Sequence, residues 1–114
     1  LLIVEDISTF LHYVHKEEVK LTADHVLYKR QLQQVLDLFN VKEAPPAKTA
    51  WRFGYGRHYK FYPDRFSFVY DYCYYSGCII EDGELLRLTD RGRSLVNMEE
   101  KDALTDVYRF WLRL

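Results

Sequence analysis

The fold is decided by residues 78–88, whose sequence is Cys78-Ile79-Ile80-Glu81-Asp82-Gly83-Glu84-Leu85-Leu86-Arg87-Leu88. An Asp-Gly pair between two β-prone runs is the strongest short-range sign of a β-hairpin. The pattern predicts strands over 78–81 and 84–88, joined by a turn at Asp82-Gly83. Thr89 then suits a helix cap, and 90–96 is expected to form a short helix.

Three helices and a short strand are predicted before this hairpin. Apolar residues at i, i+3, i+4 and i+7, beginning at Ile7, predict the first helix, and a similar stripe over 28–39 predicts the second. The alternation over 19–22 between them predicts a short strand. The third helix is expected to begin near Pro63-Asp64 and to end at Gly77.

The predicted fold class is α+β, mostly α, in the order helix, strand, helix, helix, hairpin, helix, which is the order of a winged helix. We expect residues 1–97 to form this domain, with 40–62 as a long aromatic insert before the third helix. Residues 98–114 are expected to add a C-terminal helix. Its apolar positions are Leu104, Val107, Tyr108, Trp111 and Leu112.

Two motifs carry a family resemblance. Leu88-Thr89-Asp90-Arg91-Gly92-Arg93 closely resembles the Leu-Thr-x-x-Gly-Arg run that follows the wing in many bacterial winged-helix proteins. Residues 21–32 are similar to the strand-turn-helix of the winged-helix repeats that accompany XPB-like helicases in bacteria. The resemblance implies a helicase-associated accessory domain, in which residues 108–111 would open the next repeat. We find no Walker-type loop, so no motor is expected.

Composition and charge are those of one globular domain. The 114 residues are 48% hydrophobic and 29% charged, which excludes wholesale disorder. A net charge of −1 provides no overall attraction to phosphates, so any nucleic-acid contact must be local. No apolar run approaches the roughly 18 residues of a membrane-spanning helix. The cysteine spacing does not suggest a secreted disulfide framework, and we expect a cytoplasmic protein.

The insert is the strongest candidate for a binding site. Residues 42–65 hold six basic and two acidic side chains, a charge of +4, and six aromatic residues fall within 51–62. Single-strand binders combine cations for phosphates with aromatic faces for bases. We therefore expect a non-catalytic module that binds nucleic acid without strong sequence specificity. The expected contacts are cationic or aromatic: Lys29, Arg30, Lys48, Trp51, Arg52, Tyr55, Arg57, Tyr59, Lys60 and Arg65.

Two alternatives stay open. The aromatic residues of the insert could instead fold back into the core, with its charges simply solvated. The domain could also bind a protein partner or self-associate through Phe68, Tyr72 and Tyr75, which form a second apolar face on the third helix. The acidic wing tip favours protein association, because phosphates would meet negative charge there.

No catalytic constellation is evident, so we expect neither an enzyme nor a cofactor, a metal or a small-molecule substrate. His12 and His15 are spaced i, i+3, but a metal site needs three or four converging ligands. Cys73 lies on an apolar helix face, where a thiol is usually inert. Glu81-Asp82 is expected to be solvated surface.

Overall fold

The computed structural model describes residues 2–46, 56–96 and 100–113. Over these ranges the chain is an α+β fold of five helices and one three-stranded antiparallel sheet. The elements, in chain order, are α1 (Leu2–Lys16), β1 (Val19–Lys20), α2 (Lys29–Leu38), α3 (Asp64–Tyr75), β2 (Ile79–Asp82), β3 (Leu85–Leu88), α4 (Asp90–Val96) and α5 (Glu100–Leu112).

The periodic apolar stripes produce the predicted helices. On α1, Phe10 and Leu11 are fully buried, and on α2 the buried positions include Leu32 and Val35. Tyr28 immediately precedes α2 in an extended conformation, and its side chain is exposed rather than part of the buried stripe. The helix predictions are therefore confirmed, with one aromatic residue turned to solvent.

The hairpin forms, but its turn lies one residue later than predicted. Asp82 pairs with Leu85, so the turn residues are Gly83 and Glu84 rather than Asp82 and Gly83. Gly83 has a φ of 60°, while Glu84 has a negative φ, as in a type II′ turn. This turn places Glu81 opposite Leu86, and β1 joins the other side of β3 to give the sheet order β1-β3-β2.

The predicted cap after the hairpin is confirmed, and it explains the Thr-x-x-Gly spacing. The Gly92 amide donates to Thr89 Oγ1 at 3.0 Å, and that hydroxyl donates to the Gly77 carbonyl at 2.5 Å. A Cβ on Gly92 would lie 2.1 Å from the carbonyl oxygen of Cys78. The first turn of α4 therefore packs directly on the backbone that enters β2.

The core is an aromatic cluster in which α1, α3 and the end of the insert meet. The ring centroid of Phe66 lies 5.3 Å from that of Phe10 and 4.8 Å from that of Tyr62. Tyr62 is 1% exposed and His58 is 9% exposed. For these two residues, the alternative in which the insert folds back into the core is correct.

The C-terminal helix covers much of the second apolar face of α3. The ring centroid of Phe110 lies 5.2 Å from that of Tyr72 and 5.9 Å from that of Phe68. Tyr108 and Trp111 are nevertheless 61% and 57% exposed. The helix over 100–112 therefore packs on α3 with one part of its surface and leaves apolar side chains in solvent with another.

Candidate nucleic-acid interface

A buried carboxylate fastens the end of the insert to the hairpin. Glu81 has a side chain only 5% exposed and accepts hydrogen bonds from three side chains. Arg57 donates from Nε at 3.1 Å and from Nη2 at 2.8 Å, His58 Nε2 lies 3.0 Å away, and the Tyr70 hydroxyl completes the set. The expectation that Glu81 is solvated surface is wrong, because the sheet turns it towards α3.

The surroundings of Glu81 keep it ionised. Burial by itself would raise the pKa of Glu81, but the hydrogen bonds from Arg57, Tyr70 and His58 together lower that pKa to about 2. Tyr70 responds in the opposite direction, since burial raises the pKa of its phenol and the carboxylate beside it raises it further. The cluster therefore contains a fixed negative charge and a fully protonated phenol at neutral pH.

Arg57 contacts Tyr74 and Asp71 in addition to Glu81. Its guanidinium lies 4.4 Å from the ring centroid of Tyr74, and its backbone amide donates to Asp71 Oδ1 at 3.2 Å. Its bonds to Glu81 raise the pKa of Arg57 above its usual range. The charge of Arg57, which was predicted to contact phosphates, is thus paired within the fold.

Arg65, another predicted nucleic-acid contact, is also paired within the fold. Its guanidinium bonds to Asp6 on α1, whose side chain is 0% exposed. Asp6 also accepts from the backbone and side-chain amides of Asn40 at 2.8 and 3.0 Å. Glu43 accepts from the Arg65 and Phe66 amides at 2.9 and 3.0 Å, which fastens the start of the insert to the first turn of α3.

Three other predicted cations lie exposed on two neighbouring segments. Lys29 and Arg30 open α2, and Lys60 lies in the turn that ends the insert. The Leu27 amide donates to the Tyr62 hydroxyl at 2.9 Å, so the start of α2 and that turn are in direct contact. The first turn of α2 contains no acidic residue, and its N-terminal amides add partial positive charge.

Exposed aromatic rings accompany these cations. Tyr28 is 53% exposed and Phe61 is 43% exposed, while the predicted contact Tyr59 is half-buried. Tyr28 and Phe61 were missed as contacts from sequence, because Tyr28 fits the apolar stripe of α2 and Phe61 is an apolar residue next to the core residue Tyr62. We call Tyr28, Lys29, Arg30, Lys60 and Phe61 the α2 basic surface.

The remaining insert residues predicted to bind nucleic acid lie outside the described residues. They are Lys48, Trp51, Arg52 and Tyr55.

The predicted partner-binding face of α3 is divided. Tyr72 is 0% exposed, and its hydroxyl bonds to Asp106 on α5, so the structure corrects its expected availability to a partner. Phe68 is half-buried against the rings of Phe110 and Trp111. Tyr75, at the end of α3, is 60% exposed.

The thiols and histidines form no evident reactive site. Cys73 and Cys78 are both buried free thiols, and burial raises the pKa of each. Among residues 2–46, 56–96 and 100–113 no three His, Cys, Asp or Glu side chains converge as metal ligands.

In that same part of the chain, no helix combines the length and apolar character that crossing a membrane requires.

A comparison of the chain with protein families, curated proteins and solved structures finds no match.

Proposed function

We propose that this chain is a winged-helix accessory module that binds nucleic acid without strong sequence specificity through the α2 basic surface. The observation that carries the proposal is the bond between the Leu27 amide and the Tyr62 hydroxyl. It brings the cations of α2 and of the insert, which are some 30 residues apart in sequence, onto adjacent segments. Exposed rings among these cations supply stacking faces for bases.

The arrangement of the strands supports the winged-helix assignment. Three helices, a short β1 between the first two, and a hairpin after α3 occur in the order of that fold. β1 pairs with β3 rather than with β2, so the hairpin projects from a sheet that α1 and α3 cover. In this assignment β2 and β3 are the wing, and α3 occupies the position of a recognition helix.

The charges on α3 argue against reading of the major groove by that helix. Its cation, Arg65, is paired with Asp6, and the helix also carries Asp64 and Asp71. Exposed lysine and arginine side chains on the α2 basic surface would instead contact phosphates, which carry no sequence information. Binding is therefore expected to be largely electrostatic and sensitive to salt.

The test is fluorescence anisotropy with labelled single- and double-stranded DNA, titrated from low to physiological salt. Replacing Lys29, Arg30 and Lys60 together with Ala should weaken binding at least tenfold. It should also reduce the slope of log K against log salt by roughly 2–3, since each phosphate contact contributes about 0.7–0.9.

The matched control removes three other exposed cations: Lys16, Arg87 and Arg93. This variant has the same net charge but keeps the α2 basic surface, and it should bind almost as the unchanged chain does. Equal losses in the two triple variants would overturn the proposal, because overall charge would then account for the binding.

Protein association is a second candidate, favoured by exposed apolar side chains on α5. Tyr108, Trp111 and Leu112 are 61%, 57% and 80% exposed. Sedimentation velocity of the chain across a concentration series should show reversible dimers that Leu112→Ser weakens. A single monomeric species at every concentration would remove self-association from consideration.

A further inference from the structure

An open cleft lies on a different part of the molecule, between the end of α3, α4 and α5. Its volume is about 800 Å³. The side chains that matter here are one aromatic ring, three guanidinium groups and one carboxylate: Tyr75, Arg91, Arg109, Arg113 and Asp106. The cleft shares no residue with the α2 basic surface.

The cleft has an excess of positive charge. Arg91 donates to Asp106 Oδ1 at 3.0 Å, and the other oxygen of Asp106 accepts from the Tyr72 hydroxyl. Asp106 thus accepts from Tyr72 and Arg91, and its single negative charge can offset only one of the three arginines. Within the described residues, the guanidinium groups of Arg109 and Arg113 have no acceptor.

Arg109 lies in the last turn of α5, and Arg113 directly follows the end of that helix at Leu112. Both line the cleft, where their like charges repel. The negative end of the α5 dipole offsets part of this repulsion, but it leaves their donors unpaired. A guanidinium group presents donors in a planar fork that matches two oxygens of a phosphate. Two such groups lining one cleft offer donors to a single phosphate.

An aromatic ring completes the recognition chemistry. Tyr75 is the last residue of α3, is 60% exposed and lines the same cleft. The ring of Tyr74 meets it edge-on, with centroids 5.0 Å apart. An exposed ring beside a phosphate cradle provides a stacking face for a base.

We propose that this cleft binds a nucleoside phosphate, with the phosphate held by Arg109 and Arg113 and the base stacked on Tyr75. The ligand could be a free nucleotide or a nucleotide within a single strand, because both present the same phosphate and base. The site does not depend on the α2 basic surface, and its occupation can be measured separately.

The experiment is isothermal titration calorimetry of the whole 114-residue chain with adenosine 5′-monophosphate and, separately, with inorganic phosphate. The nucleotide should bind at least tenfold more tightly than inorganic phosphate. The double variant Arg109→Ala, Arg113→Ala should lose at least tenfold in affinity. Tyr75→Ala should lose roughly fivefold or more, in keeping with the stacking of one base.

Lys16→Ala with Arg87→Ala is the matched control, because it removes the same charge from exposed side chains outside both the cleft and the α2 basic surface. It should leave nucleotide affinity unchanged. Thermal melting of each variant checks that it folds. Replacing Arg109 and Arg113 should not lower the melting temperature, because no described residue accepts a hydrogen bond from either guanidinium group.

Competition then distinguishes the two sources of the ligand. Displacement of the nucleotide by a twelve-residue oligo(dA) would identify the strand as ligand, and failure to displace it would identify the free nucleotide. Equal affinity for inorganic phosphate, nucleotide binding unchanged in the double arginine variant, or capture of a glutamate-rich peptide in place of the nucleotide would each overturn the proposal.

Discussion

The buried carboxylate of Glu81 provides the sharpest test of how the insert is held. Glu81→Gln keeps the size of the side chain and its ability to accept from Tyr70, but it removes the negative charge. Arg57 and His58 would then face a neutral amide. Breaking a buried charged pair by neutralising one partner typically costs about 3–5 kcal/mol.

The pKa of Glu81 supports a similar magnitude. Its lowering from 4.5 to about 2 corresponds to roughly 3 kcal/mol of folding free energy at neutral pH. The Arg57 side chain is 34% exposed and regains some hydration when its partner is neutral, so the net cost should be smaller. We expect Glu81→Gln to lower the free energy of unfolding by about 2–3 kcal/mol and the melting temperature by about 10–15 °C.

The sign of the pH dependence follows from the direction of the shift. A carboxyl group with a lowered pKa in the folded state stabilises that state above its unfolded pKa of 4.5. This stabilisation is lost as the pH falls from 4.5 towards 2. The difference in stability between the unchanged chain and Glu81→Gln should therefore shrink as the pH falls below 4.5.

Urea unfolding followed by circular dichroism at pH 7, 5, 4 and 3 measures both effects. Glu84→Gln is the matched control, because Glu84 lies exposed in the turn of the same hairpin. The reasoning would be refuted if the two variants differed by less than about 0.5 kcal/mol at pH 7. It would also be refuted if the gap between Glu81→Gln and the unchanged chain did not shrink in acid.

Three further substitutions test the packing around the site. Arg65→Ala removes the charged partner of the fully buried Asp6 and should cost about 3 kcal/mol in urea unfolding. The exposed pair lost in Arg87→Ala should cost at most about 1 kcal/mol, and similar costs for both would contradict the burial argument. Gly92→Ala should lower the melting temperature, because the added Cβ would meet the Cys78 carbonyl. In an ordinary helix interior the same change would stabilise by about 1 kcal/mol, so a rise in melting temperature would show that α4 can move aside. Tyr62→Phe leaves a buried backbone amide unpaired and should cost about 1–3 kcal/mol by thermal unfolding, and an unchanged stability would mean that another acceptor replaces the hydroxyl.

Local patterns made the helices and the hairpin predictable. The apolar stripes of α1 and α2, Thr89 as a cap and the glycine at the tip of the hairpin all act over a few residues. The turn was predicted one residue too early because an Asp-Gly pair suits a type I′ turn, while the chain uses Gly83 as the first central residue. Neighbouring residues alone do not distinguish these two turns.

The contacts of the site could not be predicted, because they join distant parts of the chain. Arg65 and Asp6 are 59 residues apart, and the Leu27 amide and Tyr62 hydroxyl are 35 apart. One signal was present for Glu81, since alternation along β2 places it on the same face as the core residue Ile79. A charge at a core-facing position implies a buried partner, and the basic insert could have supplied it.

The two buried thiols can be used to measure local opening of the fold. Cys73 and Cys78 lie at the end of α3 and at the entry to β2, where the helical layer meets the sheet. Because both thiols are buried and stay protonated, an alkylating reagent can reach them only when the structure around them opens. The rate of labelling in native buffer therefore measures how often this part of the fold opens, with no probe added to the chain.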